Sequence, residues 1–127
     1  LDDEDLHQQS YKNQIIKPKW LDYKSKYRML TFQLKADHRR LYREKWEYYG
    51  GKATNKIYIA KPFDIKVLKT DLGVYISSDD DIIDIELKIE YYETLVQFIE
   101  GVIKSIDNRS WDIKHAQDWK KFLAGSF

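Results

Sequence analysis

Apolar positions recur in alternating steps of four and three through two long stretches of the chain, and in steps of two through the region between them. In the first stretch Tyr23, Tyr27, Leu30, Leu34, Leu41 and Tyr48 share one helix face, with Asp37 and Glu44 in the remaining seam positions, which predicts a helix over 20–49. In the second, Ile82, Ile85, Ile89, Tyr92, Val96, Ile99, Ile103 and Ile106 predict a helix over 79–107, outrunning the shorter strand-like alternation from Ile83 to Tyr91. Ser77 or Ser78 is its expected N-cap, with Asp79, Asp80 and Asp81 in the first turn. A short helix over 1–16, through Leu6, Tyr11, Ile15 and Ile16, is expected to stop at Pro18. A last helix over 111–123, with Ile113, Ala116, Trp119 or Lys120, and Leu123 inward, follows a break at Asn108. Gly50 and Gly51 supply a stop that tolerates left-handed backbone.

Between the long helices, Lys56–Lys61 and Phe63–Lys69 alternate as half-buried strands do, with Pro62 separating them and Val74–Ile76 as a possible third. A β excursion over 56–76 follows, marginal unless it packs on helices or pairs between subunits. About thirty residues of helix span about 45 Å and need a partner, a helix folded back or a second subunit. The predicted fold is therefore mainly α: long antiparallel helices in a hairpin or bundle with a small β excursion.

The 127 residues, 43% hydrophobic and 34% charged, form one expected domain with a modest core, and five glycines and two prolines favour long helices over a many-turned sheet. With no cysteine, disulfides, thiolate metal sites and thiol catalysis are excluded. No apolar run approaches the roughly 18 residues of a membrane span and no signal-peptide pattern is present, so a soluble intracellular protein without membrane attachment is expected. Because residue 1 is Leu, a natural start upstream is expected.

Charge is segregated behind a net of +1. Residues 1–16 carry −3, residues 17–69 carry +10 from fifteen Lys or Arg against five acids, and residues 70–127 carry −6. A basic middle between acidic flanks points to an anionic partner for the middle. Within it, Tyr42–Gly51 sets Arg43 and Lys45 among Tyr42, Trp46, Tyr48 and Tyr49. Cations that track phosphates beside aromatic faces that stack on bases are what a sequence-tolerant single-strand binder needs. The four-then-three spacing of Tyr42, Trp46 and Tyr49 is also that of one helix face, and from these ten residues alone a core stripe is the expected reading.

Catalytic chemistry is not encoded in any recognisable pattern. Gly51-Lys52-Ala53-Thr54 lacks the glycine and the Mg²⁺-binding hydroxyl of a phosphate loop, and Asp79–Asp81 lacks the glycine and ligand alternation of a calcium loop. His7, His38 and His115 are scattered. No enzyme activity, cofactor or metal site is expected.

The chain resembles the UvsY recombination mediator proteins of T-even-type bacteriophages from about Leu6 to Gly125. The likeness is carried by Lys19-Trp20-Leu21, by Arg43-Glu44-Lys45-Trp46-Glu47-Tyr48-Tyr49 followed by glycine, and by Ile113-Lys114-His115-x-Gln117-Asp118-x-x-x-Phe122-x-Ala124-Gly125. The resemblance implies a single-stranded-DNA binder in the cytoplasm of an infected bacterial host, assembled as a hexameric or heptameric ring. It also implies contact with the phage recombinase and the phage single-strand-binding protein, and help in loading the first where the second sits. The two cations tied to DNA in that family fall on Arg43 and Lys45, in swapped order, and Trp46 replaces an aliphatic residue. The candidate DNA-binding set is Arg43, Lys45 and Trp46 with Arg39, Arg40, Lys35, Tyr49 and Lys52. The competing reading is a helical oligomeric adaptor whose basic rod meets an acidic protein surface.

Overall fold

The structure is a computed structural model and describes residues 3–125. In chain order it comprises α1 (Asp3–Tyr49), α2 (Asn55–Ala60), a 3-10 turn at Lys69–Asp71, α3 (Leu72–Ser77) and α4 (Asp80–Leu123). The backbone forms two compact units, one from the described parts of Leu1–Arg28 and Thr94–Phe127, the other Met29–Glu93.

In the first unit α1 and α4 run antiparallel. Asn13 Nδ2 donates to Ser110 Oγ at 3.1 Å, Lys17 pairs with Asp107 at 2.6 Å and Lys24 with Glu100 at 4.0 Å. Leu6, Val96, Ile99 and Ile113 are buried. The expected stop at Pro18 does not occur, because α1 passes straight through it. An interior proline costs about 3 kcal/mol; the contacts of Asn13 and Lys17 on one side and Lys24 on the other hold the helix across it, and the ring faces solvent. The expected break at Asn108 is likewise absent. Asp107 and Ser110 are both engaged by α1 there, and buried Ile113 lies seven residues beyond Ile106 on the same face.

In the second unit the same antiparallel pairing joins Lys35 to Glu93 at 2.8 Å, His38 to Glu86 at 3.1 Å and Lys45 to Asp81 and Asp79 at 2.7 and 3.4 Å. Leu72, Ile76 and Ile82 form its apolar centre, backed by Leu41, Tyr49 and Val67. The inward stripe here is Thr31, Leu34, His38, Leu41, Lys45 and Tyr48, not the one through Asp37 and Glu44, which are exposed. Every second seam position is polar, and two of these meet acids of α4.

The β excursion over 56–76 is overturned: no strand occurs among the described residues. Lys56–Ala60 lies in α2, residues 62–68 are irregular, and Val74–Ile76 lies in α3. The reason is which side of the alternation is buried. Tyr58 turns inward, stacks on Tyr48 at 5.5 Å and donates its hydroxyl to the Tyr48 carbonyl at 2.7 Å, while Ile57 and Ile59 face solvent. Without a second strand to complete a ladder, the backbone takes short helical turns that satisfy its own polar groups.

Helix α1 ends where its glycines predict. The amide of Lys52 bonds to the Glu47 carbonyl at 2.8 Å and that of Gly51 to the Tyr48 carbonyl at 3.3 Å, with Gly51 at φ 74°. This double closure needs a left-handed residue, which glycine adopts without a Cβ clash. The cap of α4 is Asp79 and not a serine: its Oδ1 accepts the Asp81 amide at 2.9 Å.

Candidate nucleic-acid interface

The C-terminal turns of α1 carry the candidate residues, and the structure sorts them into two sets. Lys35, Arg39, Arg43 and Trp46 follow one another by steps of four, four and three, which aligns them along one side of the helix. The Arg43 side chain is 81% exposed and among the described residues reaches only Glu47, one turn on, at 3.2 Å. Among the described residues Arg40 reaches only Asp37, at 3.1 Å, and Arg39 is exposed. Such surface pairs contribute a few tenths of a kcal/mol and exchange readily for a phosphate. Trp46 is partly exposed, and the Lys52 ammonium sits 4.5 Å from its ring centroid, bringing a cation and an aromatic face together at the helix end.

Lys45 and Tyr49 belong to the second set and point the other way. The Lys45 side chain is 12% exposed and lies between Asp79, itself 4% exposed, and Asp81. Tyr49 donates its hydroxyl to Asp79 Oδ2 at 2.5 Å, and its ring packs against Tyr48, Phe63 and Tyr75. Burial opposes the Lys45 charge, but the hydrogen bond to Asp81 and the charges of Asp79 and Asp81 outweigh it and raise its pKa. Burial also works against the Asp79 carboxylate, yet the Tyr49 hydroxyl, the Asp81 amide and Lys45 together hold its pKa below the ordinary value. For Tyr49, burial and then the bond to Asp79 both push the hydroxyl's pKa upward. This is a clamp between the end of α1 and the start of α4, with every partner inside the protein. Lys35, though on the exposed side, is also engaged, by Glu93.

Reading the sequence missed Asp79, Asp81 and the aromatic box of Tyr48, Tyr58, Phe63 and Tyr75. One signal was present: Asp79, Glu86, Glu93, Glu100 and Asp107 stand seven residues apart, the period at which polar seam residues of a neighbouring helix would meet them.

A family model described as the recombination, repair and ssDNA-binding protein UvsY matches residues 1–126. The chain belongs to the UvsY family. It is 23% identical over 125 residues to the recombination protein UvsY of Enterobacteria phage T4, covering 98% of this chain and 88% of that protein. Two crystal forms of the bacteriophage T4 recombination mediator protein UvsY share its fold. One superposes with a TM-score of 0.80 at 23% identity, covering 98% of this chain and 88% of the other. The second gives 0.80 at 22% identity, covering 97% and 90%. Among the described residues no group of three or more His, Asp or Glu is placed to hold a metal ion, and no helix is long and apolar enough to cross a membrane. For this member of the UvsY family, the two cations of the resemblance part company: Arg43 is open to solvent and Lys45 is enclosed.

Proposed function

We propose that this protein is a recombination mediator of an infected bacterial cell. It binds single-stranded DNA, assembles as a ring of identical subunits, and helps place a phage recombinase on strand covered by single-strand-binding protein. The observation that supports this reading is the exposed file of Arg39, Arg40 and Arg43 leading to Trp46 with Lys52 on its face. Cations held only by weak surface pairs take phosphates, and a half-open indole offers one stacking platform for a base. The contact residues of the candidate set are Arg39, Arg40, Arg43, Trp46 and Lys52, with Lys35 available if it leaves Glu93. Lys45 and Tyr49 position this end of the helix.

Assembly is supported by apolar side chains left open in each unit. Phe98, Trp111, Trp119 and Phe122 in the first unit, and Met29, Phe32, Leu87 and Tyr91 in the second, all exceed half exposure. Subunits related by a closed rotation would cover them. Oligo-dT binding measured at several salt concentrations, together with particle mass by light scattering, tests the reading. A multimer whose affinity falls steeply with salt is the expected result. A monomer would reject it, and a multimer whose oligo-dT affinity is independent of salt would reject it in favour of the oligomeric adaptor.

A further inference from the structure

We infer that the segment joining α1 to α3 is a second contact surface for the DNA strand, with Lys56, Lys66 and Lys69 as its phosphate ligands. The inference rests on the single-strand reading above and extends it to residues that the helical motif does not include. Residues 50–71, the whole of that segment, carry Lys52, Lys56, Lys61, Lys66 and Lys69 against two acids, Asp64 and Asp71. All five lysines are exposed.

What distinguishes them is their clustering in one short segment, since Lys12, Lys19, Lys26, Lys88 and Lys104 on the helices also form no ion pair among the described residues. The helical lysines 17, 24, 35 and 45 each face a carboxylate of α4. In the joining segment the Lys52 and Lys61 ammonium groups lie over aromatic faces, at 4.5 Å from Trp46 and 5.9 Å from Tyr48. Lys56, Lys66 and Lys69 form no ion pair among the described residues, in a chain with nearly as many acids as bases. Five like charges in so short a stretch repel one another, a cost that an extended polyanion removes. Residues 62–68 have no regular structure and no strand partner, so Lys66 can adjust to a flexible backbone of phosphates, flanked by Lys56 in α2 and Lys69 in the 3-10 turn.

Tyr58 and Phe63, the aromatic residues of the segment, are turned into the Tyr48 box. The segment therefore holds phosphates, and base stacking falls to Trp46 at its start. Ile59 and Leu68, exposed beside these lysines, also suit an acidic protein segment with apolar residues, which is the competing occupant.

The test uses the full chain with Lys56→Gln, Lys66→Gln and Lys69→Gln together. A control carries Lys12→Gln, Lys88→Gln and Lys104→Gln, three exposed lysines elsewhere whose removal changes net charge equally. Oligo-dT affinity is measured against salt for both and for the parent, with helicity and particle mass checked. The segment variant should bind more weakly, with a log–log salt slope shallower by about 2 per engaged subunit, at about 0.7 per phosphate contact. The control should match the parent. An equal change in both variants, or an unchanged segment variant with intact fold, overturns the surface while leaving single-strand binding standing. So does a segment variant that keeps oligo-dT binding but no longer retains polyglutamate. A parent that fails to bind oligo-dT overturns this surface and the proposed function together.

Discussion

Lys45→Met should destabilise the fold by about 3 kcal/mol, because removing one partner of an enclosed ion pair leaves the other charge without compensation. The stranded group is the Asp79 carboxylate, which keeps only the Tyr49 hydroxyl and the Asp81 amide. Arg43→Ala, two residues away, should cost no more than about 0.5 kcal/mol, since it breaks one solvent-exposed pair along the same helix. Urea unfolding at fixed protein concentration separates the two. The clamp should also appear in the pH dependence. Asp79 has a depressed pKa, so its contribution is present above the ordinary carboxylate range and is lost as pH falls through its lower folded value. Lys45 has a raised pKa, so its contribution is present below the ordinary value of 10.5 and is lost as pH rises through its folded value. Asp79→Asn should flatten the acid limb of the stability curve. Equal stability of Lys45→Met and Arg43→Ala would mean that the clamp contributes nothing.

Ile76→Ala should cost about 3 kcal/mol through lost burial and the cavity left behind. Ile76 is 0% exposed, at the centre of Leu72 and Ile82, with Leu41, Tyr49 and Val67 around them. Ile59→Ala, on a side chain that is 82% exposed, should stay within about 0.5 kcal/mol of the parent. A strand over Lys56–Lys61 would turn Ile57 and Ile59 inward, so the contrast checks the helical reading of this segment as well as the core. Comparable losses from both substitutions would restore the strand.

How far the sequence discloses this fold depends on which residues carry the signal. The long α4 seam is plain because Ile82, Val96, Ile99 and Ile113 are both apolar and buried. The α1 seam is half hidden. Lys17, Lys24, His38 and Lys45 lie along it, and apolar spacing passes over polar residues whose partners are thirty or more positions away. The same blindness gives Pro18 and Asn108 too much weight, since local breakers are overruled by contacts that propensity does not contain. The segregated charge was read correctly as meaningful but assigned only outward. Four of the fifteen cations in the positive middle, Lys17, Lys24, Lys35 and Lys45, are matched by acids of α4, and the exposed arginines near the end of α1 and the lysines of the joining segment are among those left over. At the candidate site, exposure separates Arg43 from Lys45 where residue type cannot.

The most direct test of this account is the salt dependence of oligo-dT binding by the Arg39→Ala, Arg40→Ala, Arg43→Ala variant beside Lys45→Met, each referred to its folded fraction and particle mass. Loss of three phosphate contacts should make the arginine variant's slope shallower by about 2 per engaged subunit. Folded Lys45→Met should keep the parent slope. A parent-like slope in the arginine variant, with the change appearing in folded Lys45→Met instead, would contradict the assignment of strand contact to the exposed file and of Lys45 to the clamp.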